Sequence, residues 1–409
     1  MLANLSVLKW LAAVSFIYIQ TSFSTLSAQQ KYKLYLDADF SGATASSHAI
    51  KQGITTALAE VDYQLQGIKF ELLLKNHQAN SLRSRRNLEA FLADEQALLV
   101  FSGLHSPPLL ANKSFINENK ILLLDPWAAA GPITRSNSKE NWIFRLSIDD
   151  SNAGIFISQQ AFKQGFNKPY LLLEDTGWGR SNQKTMTQAL KELAVKPVGL
   201  SWFHWSTDKR HAKVLLREIA ASGADVIFFV GNSNEGVTFI QAMVELPKDI
   251  RLPIRSHWGI TGGNFIYQVP SVQRQQVDLQ FIQTNFSFFN DDLSMFAKKV
   301  LTLAIQANSD IEHRNDIKAS SGFVHAYDLT RLMIKAIEQV KLTGNKNTDS
   351  HLIHHALENL SEPVQGLLKE YRRPFTSYSD AQPDAHEALS IADYAMGKFN
   401  KNNDVILLK

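Results

Sequence analysis

Residues 122–136 read LLLDPWAAAGPITRS. Three leucines make the short apolar run that a strand buried on both faces requires. The run then breaks into Asp125-Pro126-Trp127, three alanines and Gly131-Pro132. In an open α/β sheet, ligands sit at the carboxyl ends of the strands. Small residues there let a ligand approach the backbone, and a tryptophan gives it a wall. The alternative, from this stretch alone, is that Trp127 covers a sheet edge while the alanines merely start a loop. Which reading holds depends on how the other strands end.

Strand-like and helix-like segments alternate along the chain. Lys33–Asp37 precedes an amphipathic stretch at 46–61, and Ile68–Leu74 precedes a helical one at 81–93. Ala97–Ser102 precedes 108–117, and Ile121–Leu124 comes next. This βαβαβαβ order predicts a parallel, doubly wound sheet of four strands with right-handed crossovers. A second series predicts helices at 151–166, 181–193, 210–222 and 235–245, with strands at 170–174, 198–205, 225–231 and 252–258. The break between the series falls near Phe144–Ile148. A further strand is expected at 279–285, helices at 293–308, 321–342 and 349–360, and a terminal hairpin within 391–408. The fold class is therefore α/β, with two doubly wound parallel-sheet lobes joined by hinge strands. Residues 29–147 with 284–385 form the first lobe, and 148–283 with 386–409 the second.

Composition bounds the function. The 409 residues are 44% hydrophobic and 20% charged, with net charge +3. That is ordinary for a globular chain and too evenly spread for a nucleic-acid surface. Lys9, the apolar run Trp10–Ile19 and the small residues before Ala28 have the layout of a secretory signal peptide over residues 1–28. The run is too short for a membrane span. There is no cysteine, so disulfides, thiolate metal sites, cysteine nucleophiles and a lipidated N-terminal cysteine are all excluded. A soluble periplasmic protein is the expectation.

Catalytic motifs are missing. Thr176-Gly-Trp-Gly179 and Gly259-Ile-Thr-Gly-Gly263 sit at strand-to-helix turns, but neither matches a phosphate-binding loop or dinucleotide fingerprint. No Gly-x-Ser-x-Gly elbow occurs. His354 and His355 are adjacent and diverge on a helix, so the pair cannot share a metal. Asp149-Asp150 opens a helix, where two carboxylates complement the dipole. No catalytic residue, cofactor or metal is expected, and a secreted enzyme is the least favoured reading.

The recurrent feature is the loop after each strand: Ala38-Asp-Phe-Ser-Gly42, Gly103-Leu-His-Ser-Pro-Pro108, Asp125-Pro-Trp-Ala-Ala129, Asp175-Thr-Gly-Trp-Gly179, Asn232-Ser-Asn-Glu235 and His257-Trp-Gly-Ile-Thr261. If two such sheets face each other, these loops line one cleft. In order and spacing, the chain from about residue 30 resembles the type I periplasmic solute-binding proteins of ABC importers, the Venus-flytrap fold, and most of all the leucine/isoleucine/valine-binding group. That resemblance implies a monomer that captures a small molecule between its lobes and hands it to a permease of the inner membrane. The alternative within the same fold is the ligand-sensing subunit of a membrane signalling receptor.

The resemblance also implies a binding set. Ser106 matches the serine that holds a ligand carboxylate, and Trp127, Ala128 and Ala129 match the wall after the fourth strand. Ala129 stands where amino-acid binders usually have threonine. Trp178 and Asn232 match second-lobe pocket positions, and Ser46 a first-loop side chain above the ligand. Trp258 stands where amino-acid binders often place an acid for the ammonium group. Three tryptophans would form an aromatic box suited to an apolar or aromatic carboxylate, with a quaternary ammonium as another candidate. A plain amino acid remains the alternative, should Asp37, Asp39 or Asp125 reach its ammonium group.

Overall fold

The computed structural model describes residues 31–135, 141–290 and 292–408; the expected signal peptide lies outside them. The first lobe begins with strand β1 (Lys31–Ala38), helix α1 (Thr44–Ala59), β2 (Gln64–Leu65), β3 (Ile68–Asn76) and α2 (Ser81–Ala93). It continues through β4 (Ala97–Ser102), α3 (Ser106–Glu118), β5 (Leu123–Asp125) and β6 (Ile143–Arg145). The strands lie in the order β2-β3-β1-β4-β5-β6. All pairs are parallel except β2 with β3. All six residues of β4 are buried, as helices on both faces of a parallel sheet demand.

This sheet has six strands where four were expected. β2 is two residues long and turns into β3 through Gln66 and Gly67, with φ of 51° and 79°, the left-handed pair that a tight hairpin needs. β6 lies at the expected break and has three residues. Neither is long enough to show a period.

The second lobe carries α4 (Asp150–Lys163), β7 (Pro169–Glu174), α5 (Gly177–Glu192), β8 (Gly199–Phe203), α6 (Lys209–Ala221), β9 (Val226–Val230) and α7 (Ser233–Val244). It proceeds to β10 (Ile254–Ser256), the short helices α8 (Phe265–Gln268) and α9 (Ser271–Arg274), and β11 (Leu279–Thr284). The amphipathic pattern of α6 buries Ala212, Leu215, Leu216 and Ile219, one face of a helix. Helices α10 (Met295–Ala307), α11 (Ser320–Gln339) and α12 (Lys346–Glu358) come next. They pack back on the first lobe, α10 and α11 against α1, and α12 against β4 and α11. After the small hairpin β12 (Val364–Gln365) and β13 (Glu370–Tyr371), the chain ends in β14 (Tyr394–Phe399) and β15 (Val405–Leu408). The second sheet runs β15-β14-β11-β10-β9-β7-β8, with β14 antiparallel to both neighbours.

Strand order locates the binding region. In the first sheet the winding reverses between β1 and β4, and in the second between β7 and β9. Such switch points leave a crevice at the carboxyl ends of the strands. The loops into α1, α3, α5 and α7 therefore border one space.

Candidate ligand cleft

Asp125 shapes the turn after β5. Its Oδ1 accepts the backbone N–H groups of Trp127 and Ala128 at 3.1 and 2.8 Å and the Ser102 hydroxyl at 2.8 Å. Burial pushes this carboxyl up to about 6, against the lowering effect of Arg145 and these donors. Arg145, fully buried on β6, donates to the carbonyls of Ala128 and Ala130 at 3.0 and 2.9 Å and makes a two-point pair with Glu387. Ser147 donates to the Trp127 carbonyl at 2.8 Å. The small side chains thus leave room for backbone carbonyls to be clamped from behind while Trp127 points forward.

Trp127 lies flat on α11. A Cβ at Gly322 would come within 2.4 Å of its ring, so glycine there is a condition of the tryptophan's position. From the other lobe, Trp258 stacks on Trp127 with ring centres 4.9 Å apart and planes inclined by 30°. Trp178 is fixed by its indole N–H on Asp150 Oδ1 at 3.0 Å and meets His257 edge-on. The Gly259-Ile-Thr-Gly-Gly263 stretch is a packing spacer: side chains at 259 and 262 would strike Trp178 and Leu104 at 2.7 and 2.6 Å.

Of the residues the resemblance implied, Ser106, Trp127, Ala129, Trp178, Asn232 and Trp258 line one space between the lobes. Ala128 lies behind this wall, fully buried, and contributes through its clamped carbonyl. Ser46 is not part of the lining. It is buried in α1, where its hydroxyl donates to the Ala43 carbonyl at 3.0 Å. A position in the first turn of α1 directs this side chain toward the helix's own backbone rather than the cleft.

The aromatic box is closed on itself. Trp127 and Trp258 occupy its centre, and the remaining cavity has a volume of about 10 Å3, room for about one water molecule. Open space lies farther out, at the mouth, in a cavity of about 400 Å3 bordered by Asp39, His105, Trp205, Asn232 and Glu235.

The acids expected to reach an ammonium group have other partners. Asp37 accepts from Ser84 and Asn87 at 2.6 Å each, with burial raising its carboxyl to about 6. Asp39 accepts the N–H groups of Ser41 and Gly42 and lies 3.2 Å from His105 Nε2. Although burial opposes it, these contacts hold Asp39 well below the usual carboxylate range. Two cleft acids are absent from the set the sequence implied. Glu174 ends β7 fully buried and accepts from Thr176 Oγ1 at 2.9 Å and Asn232 Nδ2 at 3.1 Å, with Trp205 as a further donor. Burial pushes it up to about 7. Glu235 stands in the first turn of α7 and is raised by burial as well. The signal for Glu174 was available, an apolar strand YLLLE ending in a carboxylate at a switch point.

Among the described residues, one group has metal-ligating spacing, and none of its members lines the cleft. Ligand atoms of His354, Glu358 and His386 lie within 4.8 Å of one another. These side chains already serve the first lobe, where His354 Nε2 meets the Asn141 carbonyl, His386 Nδ1 the Ile143 carbonyl and His386 Nε2 the Glu358 carboxylate. No helix of the described residues is long and apolar enough to cross a membrane.

The family model described as periplasmic binding protein matches residues 36–246. No curated protein sequence matches the chain. Among solved structures, a type 1 periplasmic binding protein from Bordetella pertussis is 13% identical, with 93% of this chain and 100% of that one covered and a TM-score of 0.75. An ABC-transporter solute-binding protein from R. palustris, in complex with 4-hydroxybenzoate, is 18% identical over 93% and 96% of the two chains, with a TM-score of 0.73. A branched-chain amino acid transporter substrate-binding protein from Streptococcus pneumoniae, in complex with isoleucine, is 18% identical over 93% and 100%, with a TM-score of 0.73.

Proposed function

The chain belongs to the periplasmic binding protein family, and from that premise we propose that it captures a small organic solute between its lobes and delivers it to an ABC importer of the inner membrane. The observation that carries this reading is convergence. Loops from both switch points meet across one cleft, with Ser106, Trp127 and Ala129 on one side and Trp178, Asn232 and Trp258 on the other. The solved relatives from R. palustris and S. pneumoniae hold 4-hydroxybenzoate and isoleucine, which supports a solute of modest size. In this reading the lobes hinge about the segments that join them, near residues 146–149, 285–290 and 388–393. Export by the segment 1–28, a periplasmic location and a monomeric state belong to the same proposal.

A thermal-shift screen against a solute library, followed by scattering, tests it. A true ligand at about 100 times its dissociation constant stabilises the protein by about 2.7 kcal/mol, renders it more compact, and is recovered unchanged. Chemical conversion of the hit by the purified protein would refute the binding role.

A further inference from the structure

Resting on the solute-binding reading, we propose that the solute is a small organic cation, an amine or quaternary ammonium without a carboxylate, held at the cleft mouth by Glu235 and the face of Trp205, with Glu174 in the adjoining inner space adding its negative charge. The charge balance of the cleft points there. The residues lining the inner space and the mouth include Asp39, Glu174 and Glu235 and no lysine or arginine. Asp39 has His105 Nε2 at 3.2 Å. Glu174 and Glu235 are 1% and 6% exposed, and neither forms an ion pair among the described residues. Glu174 is surrounded by the neutral donors Thr176, Asn232 and Trp205. Among the described residues no side chain bonds the Glu235 carboxylate; it accepts from the backbone N–H groups of Asn232 and its own residue, and it borders the 400 Å3 cavity. Buried charge without a counter-ion is costly. A ligand that brings a positive charge relieves that cost, and one that brings a negative charge adds to it.

Some of the donors that would receive an anion are missing or already used. The first turn of α3, next to Ser106, contains Pro107 and Pro108, which have no N–H. The N–H groups of Ser41 and Gly42 before α1 go to Asp39, and those of Asn232 and Glu235 at the start of α7 go to the Glu235 carboxylate. The protein's own carboxylates therefore sit where a ligand's carboxylate would bind. Trp205, 42% exposed beside His105, supplies an accessible aromatic face at the same mouth, and such a face attracts cations.

The test uses matched probes on the mature protein: 3-methylbutylamine, leucine and 4-methylpentanoate share one apolar skeleton, and choline with 2-phenylethylamine and 3-phenylpropanoate extends the set. Calorimetry and thermal shift are expected to rank the amines or choline at least tenfold tighter than the matched amino acid and acid. Glu174→Gln and Glu235→Gln are each expected to weaken the cation at least tenfold while raising the melting temperature of the free protein. A merely structural role would not give that opposed pair of changes. Tighter binding of an acid or a neutral solute would overturn the cation assignment and leave the solute-binding reading intact. No binding or compaction with any class of solute would count against both.

Discussion

The inner end of the cleft and its mouth are built from opposite materials. Inside, Trp127 and Trp258 stack across the lobes and Trp178 is tied to Asp150. That region is close-packed, aromatic and filled by the protein itself. At the mouth, Asp39, Trp205 and Glu235 border open space, and among the described residues neither Glu235 nor Glu174, which lines the adjoining inner space, has a counter-ion. Stacking supplies many small dispersion contacts that tolerate no gap, so the inner end is a direct contact between the lobes. Uncompensated charge is tolerated only where something can complete it. Rigidity and selectivity are thus segregated by depth, and substitutions should separate them.

The largest effect is expected behind the inner wall. Arg145 is fully buried, pairs with Glu387 at two points, and clamps the Ala128 and Ala130 carbonyls. Glu387→Ala leaves the guanidinium without its carboxylate and should cost about 3–5 kcal/mol in denaturant unfolding. A smaller loss would mean that Asp149, 3.9 Å from the guanidinium, takes over. Next comes Gly322→Ala. The new methyl would meet a rigid ring at 2.4 Å rather than the end of a flexible chain, so overpacking should cost about 2–3 kcal/mol. It should also disturb tryptophan fluorescence, because Trp127 must leave its stack. Unchanged fluorescence and stability would show that α11 yields instead, and the inner end would then be softer than the mouth.

The contrast also explains which features were legible in the chain. Leu122–Leu124 and Trp127 could be read because strand burial and strand-end composition are local properties. The chain's alternation of periods likewise revealed the doubly wound sheets. The stack of Trp127 on Trp258 joins residues of different lobes, and no periodicity encodes such a pairing. Ser46 was misplaced because its direction depends on where α1 starts, a boundary set by the Asp39 loop. Glu235 was hidden for a different reason, and the strand-end position that marks Glu174 did not reveal that it is unpaired. An acid in sequence looks the same whether salt-bridged or alone, and only burial distinguishes a solvated carboxylate from an unpaired one.

The smallest expected effect lies at Glu174, in the pH dependence of stability. The groups around the Glu174 carboxylate are Thr176 on its own loop, Asn232 before α7, Trp205 after β8 and the like-charged Glu235. Its carboxyl is raised from 4.5 to about 7. The folded protein therefore binds a proton between those values that the unfolded chain has released, and its stability falls as pH rises through that window. Above about 7 the loss is complete. Asp37, Asp125 and Asp328, each raised to about 6, lose stability in the same direction, so the wild-type curve alone does not isolate Glu174. The difference between wild type and Glu174→Gln does, because the other groups cancel. The variant should gain on wild type by about 1–2 kcal/mol between about pH 4.5 and 7.5, measured by urea unfolding at fixed ionic strength. Saturating cation should shrink that gap by favouring the ionised carboxylate. A gap that is flat with pH would mean that Glu174 is already compensated in the free protein and needs no ligand.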